Sequence, residues 1–252
     1  NRRKVCRGFP KHLQSVMIVS IHQPTYWPWL GLLDKIARSN KVIILDHVQV
    51  SKGSYQYRNV FFCGGKKKFL TIPIKHHLGD TFLEITFSRL DWQLDHLTCL
   101  KNYYRKAPHF LEIEPVLQRF YQTGFPTPVA AIVRSMEISL ELFSIEAEVV
   151  LSSSLGISSH RGQMVYDLCV ASGASSYMAG RGSYGYMQEV MPQFLGSGIK
   201  VAWQDFSHPV YPQSTDSHFV EGLAGLDMML WNGIDESRKI FWRNLKTKGE
   251  GI

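Results

Sequence analysis

Three side chains in this sequence are suited to acid–base chemistry, and we predict them as catalytic residues. His22 follows an apolar run, and an imidazole can exchange a proton near neutral pH or donate to an anion. Asp46 follows a second apolar run and could accept a proton or hold Mg²⁺ beside phosphates. His208 is followed by Pro209 and Pro212, whose fixed backbone angles would hold the loop extended. The alternative is that the histidines satisfy buried backbone groups or pack within a rigid loop.

Aromatic side chains close to His22 predict a wall for a sugar ring or a nucleobase. Tyr26 and Trp29 offer flat faces suited to stacking, and Gln23 is a further predicted substrate contact. Packing in the core of the protein is an equally good interpretation of the two aromatic rings.

A polar segment after Asp46 predicts phosphate contacts. Lys52 and Arg58 carry positive charge, and a guanidinium can bind a phosphate through two parallel hydrogen bonds. Gln49 and Asn59 are predicted supporting contacts. The alternative is a polar loop whose side chains hydrogen-bond to its own backbone.

The glycine-rich stretch 180–185 lies between a predicted strand and a predicted helix, where backbone N–H groups can hold a phosphate. It does not match a P-loop, because no Gly-Lys-Ser/Thr follows.

We predict no metal ligands, since His22, Asp46 and His208 have no spacing typical of a metal site. The other predicted ligand contacts in this half of the chain are Gly180, Gly182, Ser183, Tyr186, Gln204 and Tyr211.

These side chains need a scaffold, and the apolar pattern predicts an α/β fold built on a βαβ-type parallel sheet. Residues 17–21 and 41–46 read as buried strands around a helix at 29–38. The alternation resumes with strands at 148–151, 176–179 and 199–206, and with helices at 161–172, 185–195 and 223–230. Ligands of such sheets bind beyond the carboxyl ends of the strands. We therefore expect the polar residues that follow these five strands to meet in one pocket.

The middle of the chain, about residues 55–145, has the character of a mixed β-hairpin and helical insertion. The predicted strands are 57–62, 68–74 and 82–87, and the predicted helices are 92–106, 115–121 and 129–143. The whole is expected to form a single α/β domain over 17–237. Residues 1–16 are predicted to be a basic disordered extension, and 238–252 a basic tail.

The net charge of +7 does not indicate a nucleic-acid-binding protein, because the excess lies at the two ends of the chain. Residues 17–237 hold 18 basic and 20 acidic residues, a net charge of about −2. No apolar run is long enough to span a membrane, so we expect no transmembrane segment. The four cysteines form no CxxC pair, which favours a reducing compartment, and we expect a cytoplasmic protein.

Several motifs together resemble those of the WbqC-like protein family. They cover about residues 17–233, nearly all of the predicted fold. Members of this family occur in bacterial O-antigen and other surface-polysaccharide gene clusters. The resemblance therefore implies a role in making or modifying nucleotide-linked sugars or their amide substituents. The motifs are HQPTYWPWLG at 22–31, DKI at 34–36, LDHVQ at 45–49, QYRN at 56–59, APHF at 107–110, WQDF at 203–206 and HPVYPQ at 208–213.

Three functions follow from these observations, and whether the protein is an enzyme stays open. The first is an enzyme of surface-polysaccharide biosynthesis that acts on a nucleotide- or lipid-linked sugar, with amide formation or acyl transfer on an amino sugar as one reaction. The second is a non-catalytic protein that binds a glycan or nucleotide sugar. The third is an ATP-dependent ligase similar to nucleotidyl-transfer folds, although Leu32 stands where their motif has a second histidine. No cofactor is identified; these reactions would use ATP with Mg²⁺ or acyl-CoA.

Overall fold

The structure is a computed structural model that describes residues 16–51, 53–213 and 218–246. The strands are β1 (Ile18–His22), β2 (Lys41–Ile44), β3 (Arg58–Cys63), β4 (Lys66–Thr71), β5 (Ile74–Lys75), β6 (Thr86–Phe87), β7 (Glu148–Leu151), β8 (Ser176–Ala179) and β9 (Lys200–Trp203). The helices are α1 (Leu30–Ala37), α2 (Trp92–Tyr104), α3 (Phe110–Gln122), α4 (Pro128–Phe143), α5 (Arg161–Ala171), α6 (Tyr184–Met187), α7 (Met191–Ser197) and α8 (Gly225–Lys246).

A five-stranded parallel sheet forms the centre of the protein, which confirms the predicted α/β class. Its strands lie in the order β7-β2-β1-β8-β9, and every neighbouring pair is parallel. The first strand therefore lies in the middle, and the chain winds outward from it in both directions. In sheets of this order, the crevice between the first strand and the strand where the order reverses is the usual ligand site. Here that crevice lies between the carboxyl ends of β1 and β8.

The two faces of the sheet are covered by different parts of the chain. Ile43 packs with α5, α6 and α7 on one face, while its neighbours Val42 and Ile44 pack with α1, α8 and the inserted segment on the other. This alternation follows from the two-residue period of a strand. Within the described residues, no helix is both long and apolar enough to cross a membrane.

The predicted insertion is present between β2 and β7 as the hairpin β3-β4, the short pair β5-β6 and the helices α2, α3 and α4. Most of its buried aromatic side chains, such as Trp92 and Phe120, belong to the same core cluster as α1 and α8. One predicted strand is wrong: only Thr86–Phe87 of the expected 82–87 is extended. The expected helix at 185–195 is also divided, because α6 ends at Met187 and α7 begins at Met191.

The last helix is much longer than predicted. α8 continues from Gly225 to Lys246, past a kink at Gly233, where φ is 74°. The predicted tail 238–252 is therefore wrong for 238–246. Buried Phe241 and the Trp242 indole, which donates to the Phe143 carbonyl at 2.9 Å, anchor this part of the helix on the core. Residues 247–252, and the predicted extension up to residue 15, lie outside the described residues.

Candidate functional site

A cavity of about 1070 Å³ lies at the carboxyl ends of the central strands, where the strand order reverses. Residues after β1, β2, β8 and β9 and one face of α1 line it. We call this cavity the switch-point pocket. Of the predicted site residues, the structure brings nine together here: His22, Gln23, Trp29, Gln49, Gly180, Gly182, Ser183, Tyr186 and Gln204.

His22 lines the switch-point pocket in a fixed orientation. Its Nδ1 lies 2.8 Å from the Gln23 carbonyl oxygen, so Nδ1 carries the proton and Nε2 is left as an acceptor. Loss of water around the ring, together with the positive charge of Lys35, lowers the pKa of His22 to about 3. A neutral imidazole with this pKa is a weak base and has no second proton to donate at pH 7. The predicted acid–base role of His22 is therefore not supported, whereas a binding role through Nε2 is compatible.

The side-chain amide of Gln23 is held by a neighbour to which sequence analysis gave no role. Gln56 Nε2 donates to Gln23 Oε1 at 2.6 Å, and Gln56 Oε1 accepts from the backbone N–H of Ser51 at 3.0 Å. The donor end of the Gln23 amide is thereby left for a ligand. Gln56 is buried and acts through Gln23, so its contribution could not be recognised without the contact.

Lys35 is the most important residue of the pocket that sequence analysis missed. It is only 6% exposed, and its Nζ donates to the Ile21 carbonyl at 2.7 Å. None of the described carboxylates forms an ion pair with it. Burial lowers the pKa of Lys35 to about 8, so the side chain is still mostly cationic at pH 7. The sequence did contain a signal for this residue. Lys35 follows Gly31 by four positions, so both lie on the same face of an otherwise apolar helix.

Asp46 does not face the switch-point pocket, which corrects its predicted role as a base or Mg²⁺ ligand. Its carboxylate accepts hydrogen bonds from the Ser152 hydroxyl at 2.9 Å and from the Ser153 N–H and hydroxyl at 2.8 and 2.6 Å. It is 1% exposed and borders a second, smaller cavity of about 570 Å³ beside α4. The cause is the turn after β2, which points residues 45 and 47 into the switch-point pocket and residue 46 away from it.

The neighbouring His47, which was not predicted, does line the pocket. Its Nδ1 lies 2.5 Å from the Ser152 hydroxyl, which itself donates to Asp46. Because the serine proton points to the carboxylate, Nδ1 of His47 must be the donor in this contact. Nε2 is then the acceptor nitrogen. Asp46 thus positions His47 through Ser152 and does not itself reach the pocket.

Tyr26, Arg58 and Asn59 lie outside the pocket, against prediction. Tyr26 is fully buried in the core, and its hydroxyl bonds to His96 and Tyr121. Packing was the alternative interpretation, and it is the correct one for this ring.

Asn59 has a structural role in the turn that precedes α1. Its amide donates to the carbonyls of Tyr26 and Trp27 at 3.0 and 2.7 Å, which holds Trp27 in a left-handed conformation. Arg58 donates to the Gly53 carbonyl, and its guanidinium lies over the Phe69 ring at 4.3 Å. Both side chains are thus engaged by their own neighbourhood, as the alternative interpretation of this segment supposed. Lys52 lies outside the described residues.

His208 and Tyr211, two further predicted site residues, belong to an aromatic cluster and do not line the switch-point pocket. His208 Nδ1 donates to the Pro209 carbonyl at 2.9 Å, and the ring packs against Phe206 and Phe219. The Tyr211 hydroxyl donates to the buried Asp227 at 3.0 Å. The prolines hold this loop against the domain, and of residues 206–213 Phe206 lines the pocket.

An aromatic wall is nevertheless present, built from Trp29 and Phe206. Their ring centroids lie 5.4 Å apart in an edge-to-face arrangement, and Trp29 is 37% exposed. The Trp29 ring lies across Gly31, where an added Cβ would come within 2.2 Å of it. Gln204 closes this side, since its amide donates to the Gly31 carbonyl at 2.7 Å and to Asp34 at 2.8 Å.

The charges of the switch-point pocket have one sign. No aspartate or glutamate is found among the described residues that line it, whereas Lys35, Arg161 and Arg181 are cationic and His22, His47 and His160 add imidazoles. Arg181 is ion-paired with Asp205 at 2.8 Å. The net charge of residues 17–237 is about −2, so the basic character is local to the pocket. Such a lining favours an anionic ligand. The described residues contain no cluster of three or more His, Cys, Asp or Glu side chains arranged to hold a metal ion.

Comparison with known proteins gives two findings. The model of the WbqC-like protein family matches residues 23–239. An uncharacterized protein of Mycobacterium tuberculosis, Rv1507c, is 26% identical over 191 residues, which cover 75% of this chain and 82% of the relative. No solved structure matches the chain.

Proposed function

The chain belongs to the WbqC-like protein family, and on this premise we propose that it acts on a nucleotide- or lipid-linked sugar in surface-polysaccharide biosynthesis, such as that of O-antigen. The observation that carries the proposal is the basic switch-point pocket, which has no acidic residue among its described lining. Its volume of about 1070 Å³ is at the large end for small-molecule sites and suits a sugar joined to a nucleotide. The scattered free cysteines fit action in the cytoplasm.

The aromatic wall supports a sugar or a base as the uncharged part of the ligand. Trp29 is exposed to the pocket and offers one ring face, and Tyr186 on the opposite side is 40% exposed. Flat apolar rings beside amides such as Gln23 suit a ligand that has both ring faces and hydroxyl groups.

If the reaction is acyl transfer to an amino sugar, His47 is the residue best placed to accept the proton. The amine would attack the carbonyl of an acyl thioester such as acyl-CoA, so that a C–N bond forms and the C–S bond breaks. His47 Nε2 would take the proton from the amine and return it to the leaving thiolate. Asp46 and Ser152 are positioning residues in this scheme, because they act through the His47 ring.

The proposal is tested by thermal unfolding of the full chain with UDP-sugars, dTDP-sugars, ATP with Mg²⁺ and acyl-CoA. A ligand that binds the native state raises the melting temperature, because it stabilises that state by RT ln(1 + L/Kd), where L is the free ligand concentration. We expect UDP- or dTDP-sugars to do so. A shift with ATP alone would favour the nucleotidyl-transfer-like ligase, and no shift with any of these compounds would contradict the proposal.

A non-catalytic sugar-binding protein is the second candidate, because burial lowers the pKa of His22 to about 3 and Asp46 does not line the pocket. The variant His47→Gln separates the two functions. Loss of the polysaccharide in cells while the purified variant still binds the sugar nucleotide supports an enzyme. Unchanged polysaccharide together with unchanged binding supports the non-catalytic protein.

A further inference from the structure

We infer that Lys35, with the space kept free beside it by Gly180, forms the subsite for the diphosphate group of the ligand. This inference rests on the proposed function. It identifies the diphosphate as the part of the ligand that Lys35, the most buried cation of the pocket, would bind. Sequence analysis had assigned phosphate binding to Lys52, Arg58 and the glycine-rich stretch, and Lys35 had no assigned role.

The first support is the state of the Lys35 ammonium group. It is 6% exposed, uses one N–H on the Ile21 carbonyl, and has two further N–H groups to donate. It forms no ion pair with any described carboxylate. Buried cations are normally paired, because leaving water without a counter-charge is costly. A ligand that brings the negative charge explains why this lysine lines a cavity without a partner.

The second support is the geometry of Gly180. A Cβ at this position would lie 3.8 Å from Lys35 Nζ. The backbone of Gly180 has φ −80° and ψ 148°, which any residue can adopt, so the turn itself does not require glycine. The missing side chain instead leaves room beside the ammonium. The Ser183 hydroxyl, which donates to the Gly180 carbonyl at 2.7 Å, fixes this edge of the space.

The third support is the arrangement of the other charges. Lys35 lies deep in the pocket, whereas Arg161 and Arg181 are exposed residues of its lining, and Arg181 forms an ion pair with Asp205 at 2.8 Å. His22 Nδ1 donates to the Gln23 carbonyl, so its Nε2 is an acceptor and does not itself donate to a phosphate oxygen. The deep Lys35 and the outer Arg161, neither of which forms an ion pair with a described carboxylate, fit an extended dianion better than a single carboxylate. A diphosphate has this extent and charge, whether its other end is a nucleoside or a lipid.

The experiment measures binding by calorimetry to the full chain and to the variants Lys35→Met and Gly180→Ala. The probes are UDP-N-acetylglucosamine, UDP, inorganic pyrophosphate and geranyl diphosphate, the last as a short lipid diphosphate. We expect Lys35→Met to weaken UDP binding by about 10- to 100-fold, as for loss of a charge-assisted hydrogen bond. Gly180→Ala should weaken it by about tenfold, because the methyl group occupies the space beside the ammonium. Stronger binding of geranyl diphosphate than of UDP would identify a lipid-linked ligand.

Two variants serve as matched controls. Lys200→Met removes one charge from the exposed start of β9. This position lies at the amino end of the strand, whereas the pocket lies at the carboxyl ends. Gly196→Ala adds a methyl group on α7, where it meets nothing within 4 Å. Both should bind the probes as the unmodified protein does. Circular dichroism and the melting temperature of each variant verify that it is folded.

The outcomes separate the subsite from the proposed function. If UDP-N-acetylglucosamine binds the unmodified protein and both pocket variants equally, the subsite is wrong and the proposed function stands. If pyrophosphate binds in a Lys35-dependent manner and no sugar-linked probe binds better, the subsite stands and the sugar function is contradicted. If no probe binds the unmodified protein, both are overturned.

Discussion

At the residue scale, burial changes the pKa of two titratable side chains, Lys35 and Asp227, and so makes the free energy of unfolding depend on pH. In each, burial disfavours the charged form, so the pKa of Lys35 falls to about 8 and the pKa of Asp227 rises to about 7. The difference lies in their partners. Asp227 is satisfied by the hydroxyls of Tyr104 and Tyr211, at 2.7 and 3.0 Å, whereas Lys35 has one carbonyl and faces a cavity. The first pattern is typical of a structural network, and the second of a binding site.

The variant Lys35→Met should be more stable than the unmodified protein at pH 7, by about 1–2 kcal/mol. The pKa of Lys35 is about 8 in the native state and 10.5 in the unfolded chain, so burial costs about 3 kcal/mol, and loss of the bond to Ile21 returns part of it. Between about pH 8 and 10.5 only the unfolded chain binds this proton, so the stability of the unmodified protein rises and the difference shrinks.

Urea unfolding at pH 7 and at pH 10 measures this difference. A variant that is less stable than the unmodified protein at pH 7 would show that Lys35 is a structural residue. Lys200→Met, in which the removed charge is exposed, should change the free energy of unfolding by no more than about 0.5 kcal/mol at either pH.

Asp227 should make stability fall as the pH rises from about 4 to 7. Burial raises the pKa of Asp227 to about 7, so in this window the native state holds a proton that the unfolded chain has released. The variant Asp227→Asn removes this contribution. Its free energy of unfolding relative to the unmodified protein should rise by up to about 1.4 kcal/mol per pH unit across the window and level off above pH 7. Urea unfolding at pH 5, 6, 7 and 8 measures it, and a constant difference would contradict the assignment.

At the scale of elements, the turn between β1 and α1 decides how the pocket is built. Trp27 has a φ of 42°, which is unusual for a bulky residue, and the turn is held by bonds from Asn59 and by the Trp27 N–H to the Ser135 hydroxyl at 3.0 Å. This conformation buries Tyr26 and Trp27 in the core and leaves Trp29 at the pocket wall.

The variant Asn59→Ala should lower the free energy of unfolding by about 2–3 kcal/mol. It removes three hydrogen bonds, two donated to the buried carbonyls of Tyr26 and Trp27 and one accepted from the Val60 N–H, and leaves both carbonyls unpaired. Urea unfolding followed by tryptophan fluorescence measures the loss. The control is Asn102→Ala on the exposed face of α2, which should change stability by about 0.5 kcal/mol or less. Equal effects of the two changes would show that the turn does not depend on Asn59.

At the scale of the whole molecule, the parallel sheet gathers distant segments at one edge. Strand β1 and strand β8 are neighbours although about 150 residues separate them, and the pocket lies where the strand order reverses between them. Without this order, His22 and the Gly180 turn would not face the same cavity.

Binding of UDP should therefore slow the exchange of backbone amide hydrogens in three separated segments at once: 22–35, 45–51 and 180–186. All three line the switch-point pocket. The hairpin 58–71, which carries the rejected candidate Arg58, should exchange at the same rate with and without UDP. Protection of the hairpin instead of the 180–186 segment would place the ligand elsewhere.

The sequence alone determined the α/β class, the inserted middle segment and the strand ends at which polar side chains occur, because apolar periodicity and turn residues are local signals. It also predicted nine of the residues that line the pocket. The tertiary structure alone decided which way each polar side chain points. Asp46 turns from the pocket because it bonds to Ser152 and Ser153, more than 100 positions away. Lys35 lines the pocket, where its Nζ bonds to the Ile21 carbonyl of β1 and lies near Gly180. Contacts between residues so far apart in the chain do not follow from local periodicity, so they cannot be predicted from the sequence pattern.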